Sequence, residues 1–259
     1  MGFALGLRAE ALGYRLIAFS EIGSTNAEGL SRAKAGERGP LWLVTAHQTA
    51  GKGRRQRAWT SPPGNLAASV LEVMEIAPQA AATLGFAAGL ALAQALRAAK
   101  IPAQLKWPND VLIGGAKLSG ILLEAEPANG GLAVIVGIGV NVISAPQGTP
   151  YRATCLREIG SELSAEQLFV GLSDGWAEAR SLWAEGSGMP ELRERWLAHA
   201  AGVGGPVAVN VGGKTISGRF ETIDENGYLI VTTADGRRVP ISSGDVFFGD
   251  AASSATGAA

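Results

Sequence analysis

The sequence predicts an α+β fold: a large mixed domain over residues 1–200 followed by a small all-β domain over residues 202–248. Three observations carry this. Apolar runs of strand length alternate with segments of helical spacing as far as Leu197, which is the pattern of a sheet packed against helices. Around Gly202 the composition changes to short alternating runs separated by Gly-Gly, Asn-Gly and Asp-Gly pairs, which are hairpin signals. A chain of 259 residues that is 47% hydrophobic and 17% charged is long enough to bury one large core and one small one.

The elements follow in order. Tyr14 to Phe19 reads as a strand, and Thr25 with Glu28 three residues on reads as a capping box for a helix ending near Gly36. Leu41 to Ala46 is a buried strand, Gln48 to Leu66 a loop, and Asn65 to Glu75 a second strand. Ala80 to Lys100 is a helix; Thr83 and Gln94 interrupt its apolar surface, so it is expected in the core and not across a membrane, which takes about 20 predominantly apolar residues. Pro108 pushes Trp107 toward extended geometry and puts Asn109 and Asp110 at a bend between short strands. Gly114-Gly115 turns the chain into a strand from Lys117 to Glu126. The run Leu132 to Val142 is a further strand, and its Gly137 and Gly139 announce something packed close to its backbone. Ser164 with Gln167 caps a helix whose Leu168, Leu172, Trp176, Ala179 and Trp183 share one face, and Pro190 opens the last helix. Pro206–Val211, Thr215–Ile223, Tyr228–Thr233 and Arg238–Ile241 are the strands of a small barrel or sandwich. Residues 249–259 are small and polar, and are expected to be a disordered tail.

Composition excludes several classes. The one cysteine, Cys155, rules out an internal disulfide framework and a cysteine-built zinc site, and His47 and His199 are too few for a metal cluster. Arg8 and Glu10 leave no signal-peptide core, so a reducing cytoplasm is the expected compartment and no membrane partner is expected.

The chemistry concentrates in the segment that reads as a loop. Lys52, Arg54, Arg55 and Arg57 lie within six residues, interleaved with Gly51 and Gly53 and followed by Trp59. Guanidinium groups grip phosphate oxygens in pairs, glycine lets the backbone approach a ligand, and an indole can cover a flat ring. A polyphosphate-binding loop is one reading, and a solvated or nucleic-acid-binding basic loop is the other. The net charge of −1 makes the cations a local feature, unlike the broad positive surface of a dedicated nucleic-acid binder.

Four pieces recur together: Ser24-Thr25-Asn26; Gly51-Lys-Gly-Arg-Arg-Gln-Arg57; Lys106-Trp-Pro-Asn-Asp110 with Lys117-Leu-Ser-Gly120; and Gly137-Ile-Gly-Val-Asn-Val142. In this order and spacing, over roughly residues 14 to 248, the chain resembles the biotin–protein ligases (biotin–acetyl-CoA-carboxylase ligases). The resemblance implies a catalytic domain like that of class II aminoacyl-tRNA synthetases, a mixed sheet with helices on one face, followed by an SH3-like barrel. It implies a reaction in which biotin and ATP, with Mg2+, give biotinyl-5′-AMP, whose mixed anhydride is then attacked by a lysine of a biotin carboxyl carrier domain. Family members occur as monomers and as homodimers paired through the catalytic sheet.

The resemblance also distributes roles. Lys117, Asp110 and Arg54 would be catalytic, with Lys117 beside the reacting carboxylate and α-phosphate and Asp110 near the phosphates and magnesium. Ser24, Thr25, Asn26, Gln48, Gly51, Lys52, Gly53, Arg54 and Lys117 would hold biotin, and Arg54, Arg55, Arg57, Trp59, Asn109, Asp110, Lys117 and Asn141 would hold ATP. Two departures from the family's Gly-Arg-Gly-Arg-x-x-Arg stand out: Lys52 replaces an arginine, and Gln56 stands where a glycine is common. Lysine cannot reproduce the guanidinium fork, so activity is expected to survive with altered retention of the adenylate; unchanged adenylate release and ATP affinity in Lys52→Arg would contradict this. The bifunctional members' DNA-binding helix-turn-helix has no counterpart before the first strand, so specific DNA binding is not expected. Lipoate–protein ligases share the fold and two-step logic, but their Gly-Gly-Gly-x-Val motif is missing.

Overall fold

The structure, a computed structural model, describes residues 2–149 and 151–249. Helix α1 (Leu7–Ala11), which the periodicity does not signal, precedes strand β1 (Arg15–Phe19). Asp174 accepts from the N–H groups of Arg8 and Ala9 at 2.9 and 3.0 Å, so a carboxylate distant in sequence caps this short helix. The cap of α2 (Thr25–Lys34) is Ser24, whose hydroxyl accepts from the Ala27 N–H. It sits one residue before the expected Thr25, and Glu28 pairs with Arg32 instead of reaching back.

After β2 (Leu41–Thr45), the segment expected to be a loop is a two-stranded ribbon, β3 (Gln48–Lys52) and β4 (Ala58–Ser61), turned by a short 3-10 segment at Arg54–Gln56. β5 (Leu66–Met74) follows. The single helix expected over 80–100 is divided into α3 (Pro78–Ala82) and α4 (Leu84–Ala98). At the joint, the Thr83 hydroxyl donates to the Ala80 carbonyl and receives the Trp183 indole N–H, both at 2.7 Å. Pro78–Ala98 is long and apolar enough to cross a membrane by composition, yet 72% of its most apolar window is buried inside the fold. A meander of β6 (Gln104–Lys106), β7 (Asp110–Ile113), β8 (Ala116–Ala128) and β9 (Gly131–Val140) completes the sheet. The expected Ser164–Gln167 capping box opens α5 (Ala165–Trp183), and Pro190 lies in the first turn of α6 (Met189–Leu197).

The seven strands run in the order β1-β2-β5-β9-β8-β7-β6, parallel between β1 and β2 and antiparallel elsewhere. Trp42, Val70 and Val136 on one face pack with Leu92, Phe169 and Trp176 of α4 and α5. Each such side chain stabilises the fold by about 1.5–3 kcal/mol on full burial. The expectation of helices on one face holds for α4 and α5. α2 departs from it, lying on the opposite face with Leu30 and Ala33 against Leu71, Ala133 and Ile135. Beyond the start of α2 that second face is open, and the site occupies it.

The C-terminal part is an antiparallel sheet of β10 (Pro206–Val211), β11 (Lys214–Ile223), β12 (Leu229–Thr232), β13 (Arg238–Ile241) and β14 (Asp245–Phe248), in the order β13-β12-β11-β10-β14. It docks on the first sheet through the Trp107 indole N–H, which donates to the Gly227 carbonyl at 2.9 Å. The chain leaving α6 adds itself along β6: Leu105 N–H donates to His199 O and Ala201 N–H to Leu105 O, at 2.9 and 2.8 Å. Gly249 forms a turn after β14; the remainder of the expected tail lies outside the described residues.

Candidate active site

The floor of the site is a pair of rows across β5, β9 and β8. In one row Ser69, Gly137 and Leu122 stand side by side; in the next, Ala67, Gly139 and Gly120. A Cβ on Gly137 would lie 2.1 Å from Asn26 Oδ1, and one on Gly139 would lie 2.4 Å from Trp59 Nε1. The two glycines that signalled a close approach therefore admit the first turn of α2 and the indole of β4. Above them is a cavity of about 1140 Å³, closed on its far side by Gly244 to Phe248 of the C-terminal sheet.

One end of the cavity is built from neutral groups. The Thr25 N–H donates to Gln48 Oε1 at 2.9 Å, and the Thr25 and Ser69 hydroxyl oxygens are 2.7 Å apart. Ser69 Oγ is 2.6 Å from Asn26 Oδ1, and Asn26 Nδ2 donates to Glu124 Oε2 at 2.8 Å. Thr25, Asn26, Gln48 and Ser69 are all buried, so these bonds, made in a low-dielectric setting, fix the side chains firmly.

The other end is ionic. Lys117 Nζ is 2.7 Å from Asp110 Oδ1 and lies 5.2 and 5.7 Å from the ring centroids of Tyr151 and Trp59. Lys106 and Arg54 complete the surroundings of Asp110. Burial pushes both below their usual pKa values, with Asp110 opposing that trend; for Lys106 the neighbouring charge of Lys117 adds to it. Such crowded, partly desolvated cations favour a polyanionic guest. The tip of the ribbon is held by the C-terminal sheet: Asp245 is 3.0 Å from Arg55, 3.1 Å from Arg57 and 3.9 Å from Arg54, and Arg54 also donates to the Gly244 carbonyl. Burial alone would raise the Asp245 pKa, but the hydrogen bond from Arg57 and the charges of Arg57, Arg55 and Arg54 hold it below its ordinary value.

Of the sequence-derived residues, Ser24, Thr25, Asn26, Gln48, Lys52, Gly53, Arg54, Arg57, Trp59, Asn109, Asp110 and Lys117 line one cavity. Three do not. Gly51 is not among the lining residues but leaves room at the wall for the Gln48 amide, whose Nε2 lies where a Gly51 Cβ would be. Arg55 is turned to Asp245. Asn141 lies just past β9 instead of inside a strand, buried, with its amide donating to the Thr154 carbonyl at 3.1 Å; it braces the chain after the sheet. Sequence reasoning missed Lys106, Tyr151, Arg152 and Asp245, which line the cavity, and Ser69 behind it. Lys106 belongs to the Lys106–Asp110 motif, and Ser69 also left a signal, as the one buried hydroxyl in the apolar run Leu66–Met74.

A mixed sheet bearing a cavity that is neutral at one end and cationic at the other, roofed by a small β domain, defines the class. The model of the biotin/lipoate A/B protein ligase family matches residues 23–141, and that of the biotin protein ligase C terminal domain matches residues 203–249. Within this class the chain belongs to the biotin–protein ligases. It is 39% identical over 236 residues to a biotin–[acetyl-CoA-carboxylase] ligase of Paracoccus denitrificans, covering 87% of this chain and 97% of that protein. A ligase of the same description from Mycobacterium tuberculosis is 36% identical, covering 88% of this chain and 86% of that one. The solved biotin protein ligase of Aquifex aeolicus in complex with biotin and ATP superposes with a TM-score of 0.74 at 28% identity, over 91% of this chain and 99% of that one.

Proposed function

We propose that this cavity performs both half-reactions of a biotin–[acetyl-CoA-carboxylase] ligase, with the biotin ring at the neutral end and the ATP phosphates at the cationic end. The observation that carries the reading is Lys117, which stands paired with Asp110 where the two ends meet. In the first step a carboxylate oxygen of biotin bonds to the α-phosphorus of ATP and the bond to pyrophosphate breaks. Two anions must come together, and negative charge builds on the departing pyrophosphate. Lys117, Lys106 and Arg54 neutralise that charge, with Arg57 and Lys52 further along the cavity. Trp59, lying flat on the glycine row, offers its face to the adenine side. In the second step the amine of a carrier-domain lysine attacks the acyl carbon and AMP leaves.

Magnesium fits as a companion of the phosphates. Among the described residues no three His, Cys, Asp or Glu side chains converge, and Mg2+ bound with a nucleotide needs only one or two carboxylates. Asp110 would hold it, and when bound it neutralises phosphate charge.

The reading includes no sequence-specific DNA contact, since three of the ribbon's four cations face Asp245. The test is the intact mass of a biotin carboxyl carrier domain after incubation with this protein, magnesium-ATP and either biotin or lipoate. One biotinyl addition and none from lipoate is expected. Lipoyl addition, or no pyrophosphate release with biotin, would overturn the reading.

A further inference from the structure

We infer that Ser69 and Glu124, neither of which lines the cavity, set the hydrogen-bond polarity of its neutral end and make it selective for a cyclic urea. The inference rests on the placement of the biotin ring proposed above, and deepens it.

The direction of each bond follows from the groups that have no choice. Asn26 Nδ2 faces two acceptors, the Leu122 carbonyl at 3.3 Å and Glu124 Oε2 at 2.8 Å, so the amide nitrogen of Asn26 points to β8 and its oxygen to Ser69. An amide oxygen only accepts. The Ser69 hydroxyl, 2.6 Å away, must therefore spend its one proton on Asn26 Oδ1. The 2.7 Å contact between Ser69 and Thr25 then requires the Thr25 hydroxyl to donate inward, to Ser69 Oγ. The rival acceptor for the Thr25 proton, Gln48 Oε1, is farther away at 3.2 Å and already receives the Thr25 backbone N–H. Thr25 thus presents only lone pairs to the cavity.

The neighbouring groups have the opposite sense. With Gln48 Oε1 held by the backbone of Thr25, Nε2 turns toward Gly51 with its protons available. Ser24 Oγ accepts from the Ala27 N–H, which leaves its own proton free. One fixed acceptor beside two donors matches a ring that carries N–H groups next to a carbonyl. A dithiolane ring offers neither. Glu124 and Ser69 are positioning residues in this scheme: they act through Asn26 and Thr25.

Calorimetric titration of the full chain with biotin, without nucleotide, tests the scheme. Ser69→Ala removes the inward acceptor of Thr25 and should weaken biotin binding about tenfold. Thr25→Val should do the same, and the double variant should be hardly weaker than either single one, because both delete the same directed bond. Glu124→Met should weaken binding about threefold, since Leu122 O still orients Asn26, while Glu124→Gln, which can still accept, should restore wild-type affinity. The KM for ATP should stay unchanged throughout, and the melting temperature should fall by no more than a few degrees, the cost of one buried hydrogen bond. Additive losses in the double variant, wild-type affinity in Ser69→Ala, or equal losses for biotin and ATP would overturn the inference while leaving the ligase reading intact. Wild-type protein that binds no biotin would overturn both.

Discussion

The two ends of the cavity solve the problem of holding a polar guest in opposite ways. At the neutral end, buried groups on α2, β3 and β5 are bonded to one another and, through Asn26, to the half-buried Glu124 carboxylate on β8, and a guest meets a surface whose donors and acceptors are already decided. At the ionic end, Lys117 is paired with Asp110 on the sheet, and the arginines of the ribbon tip are held by Asp245, whose side chain keeps 31% of its surface exposed. The difference teaches that a neutral guest group and an anionic one are held here by different physics. The neutral end needs rigidity, which packing against a sheet supplies. The ionic end holds cations that a resident carboxylate can release to an incoming anion.

The largest expected effect comes from cutting the junction. Lys117→Met should reduce biotin-dependent pyrophosphate release by about 10²–10³-fold, while calorimetric biotin binding changes only a few-fold; equal losses in both would erase the distinction between the ends. Next come the two glycine rows. Gly137→Ala drives a Cβ into Asn26 and should weaken biotin; Gly139→Ala drives one into Trp59 and should raise the KM for ATP. Overpacking of this kind costs about 1–3 kcal/mol, and each variant should leave the other substrate's constant within a factor of three or so, because the rows are separate supports.

Asp245→Asn should have a smaller effect. Removing the resident carboxylate should lower the KM for ATP about threefold at low salt and hardly at all at 0.5 M, since screening weakens partly exposed pairs. Biotin affinity should not respond. Because the folded pKa of Asp245 lies below its ordinary 3.8, the ion pairs stabilise the fold above that pH and are lost as pH falls through the lowered value. Urea unfolding of wild type and variant should therefore differ at neutral pH and converge on acidification below pH 3.8. Smallest is Gln56→Gly. Gln56 has φ of 59°, and Arg55 before it 55°, both left-handed. A glycine at 56 should raise stability by about 0.5–1 kcal/mol, the relief of the left-handed strain less glycine's added chain entropy, visible as a small rise in melting temperature.

The same contrast explains what could be read from the sequence. Most cavity-lining residues fall in short local motifs, so Thr25, Gln48, Arg54, Asp110 and Lys117 were legible as candidates before their geometry was known. Glu124 and Asp245 were not, because their roles depend on strand register and on docking between sheets, which no local pattern encodes. The ribbon reads as a loop in sequence because Gly51 and Lys52 pair with Trp59 and Ala58 by backbone alone, with no alternation of apolar residues to mark strands. Asn141 reads as part of a strand because the apolar run from Leu132 to Val142 carries no breaker where β9 ends. The capping boxes show both outcomes: Ser164 with Gln167 is as read, whereas α2 begins one residue early because Ser24 competes with Thr25 for the same role.

The strip of chain that joins α6 to the C-terminal sheet is itself hydrogen-bonded to Leu105. It is therefore a ruler and not a hinge. Slipping it by one residue along β6 would move everything downstream by about 3.3 Å, more than the whole reach of Asp245 to Arg55. The alignment between the carboxylate of one sheet and the arginines of the other is thus a matter of integer counting along a backbone ladder. Insertions in the turns of the C-terminal sheet should be tolerated far better than a single residue added between Leu197 and Ala201.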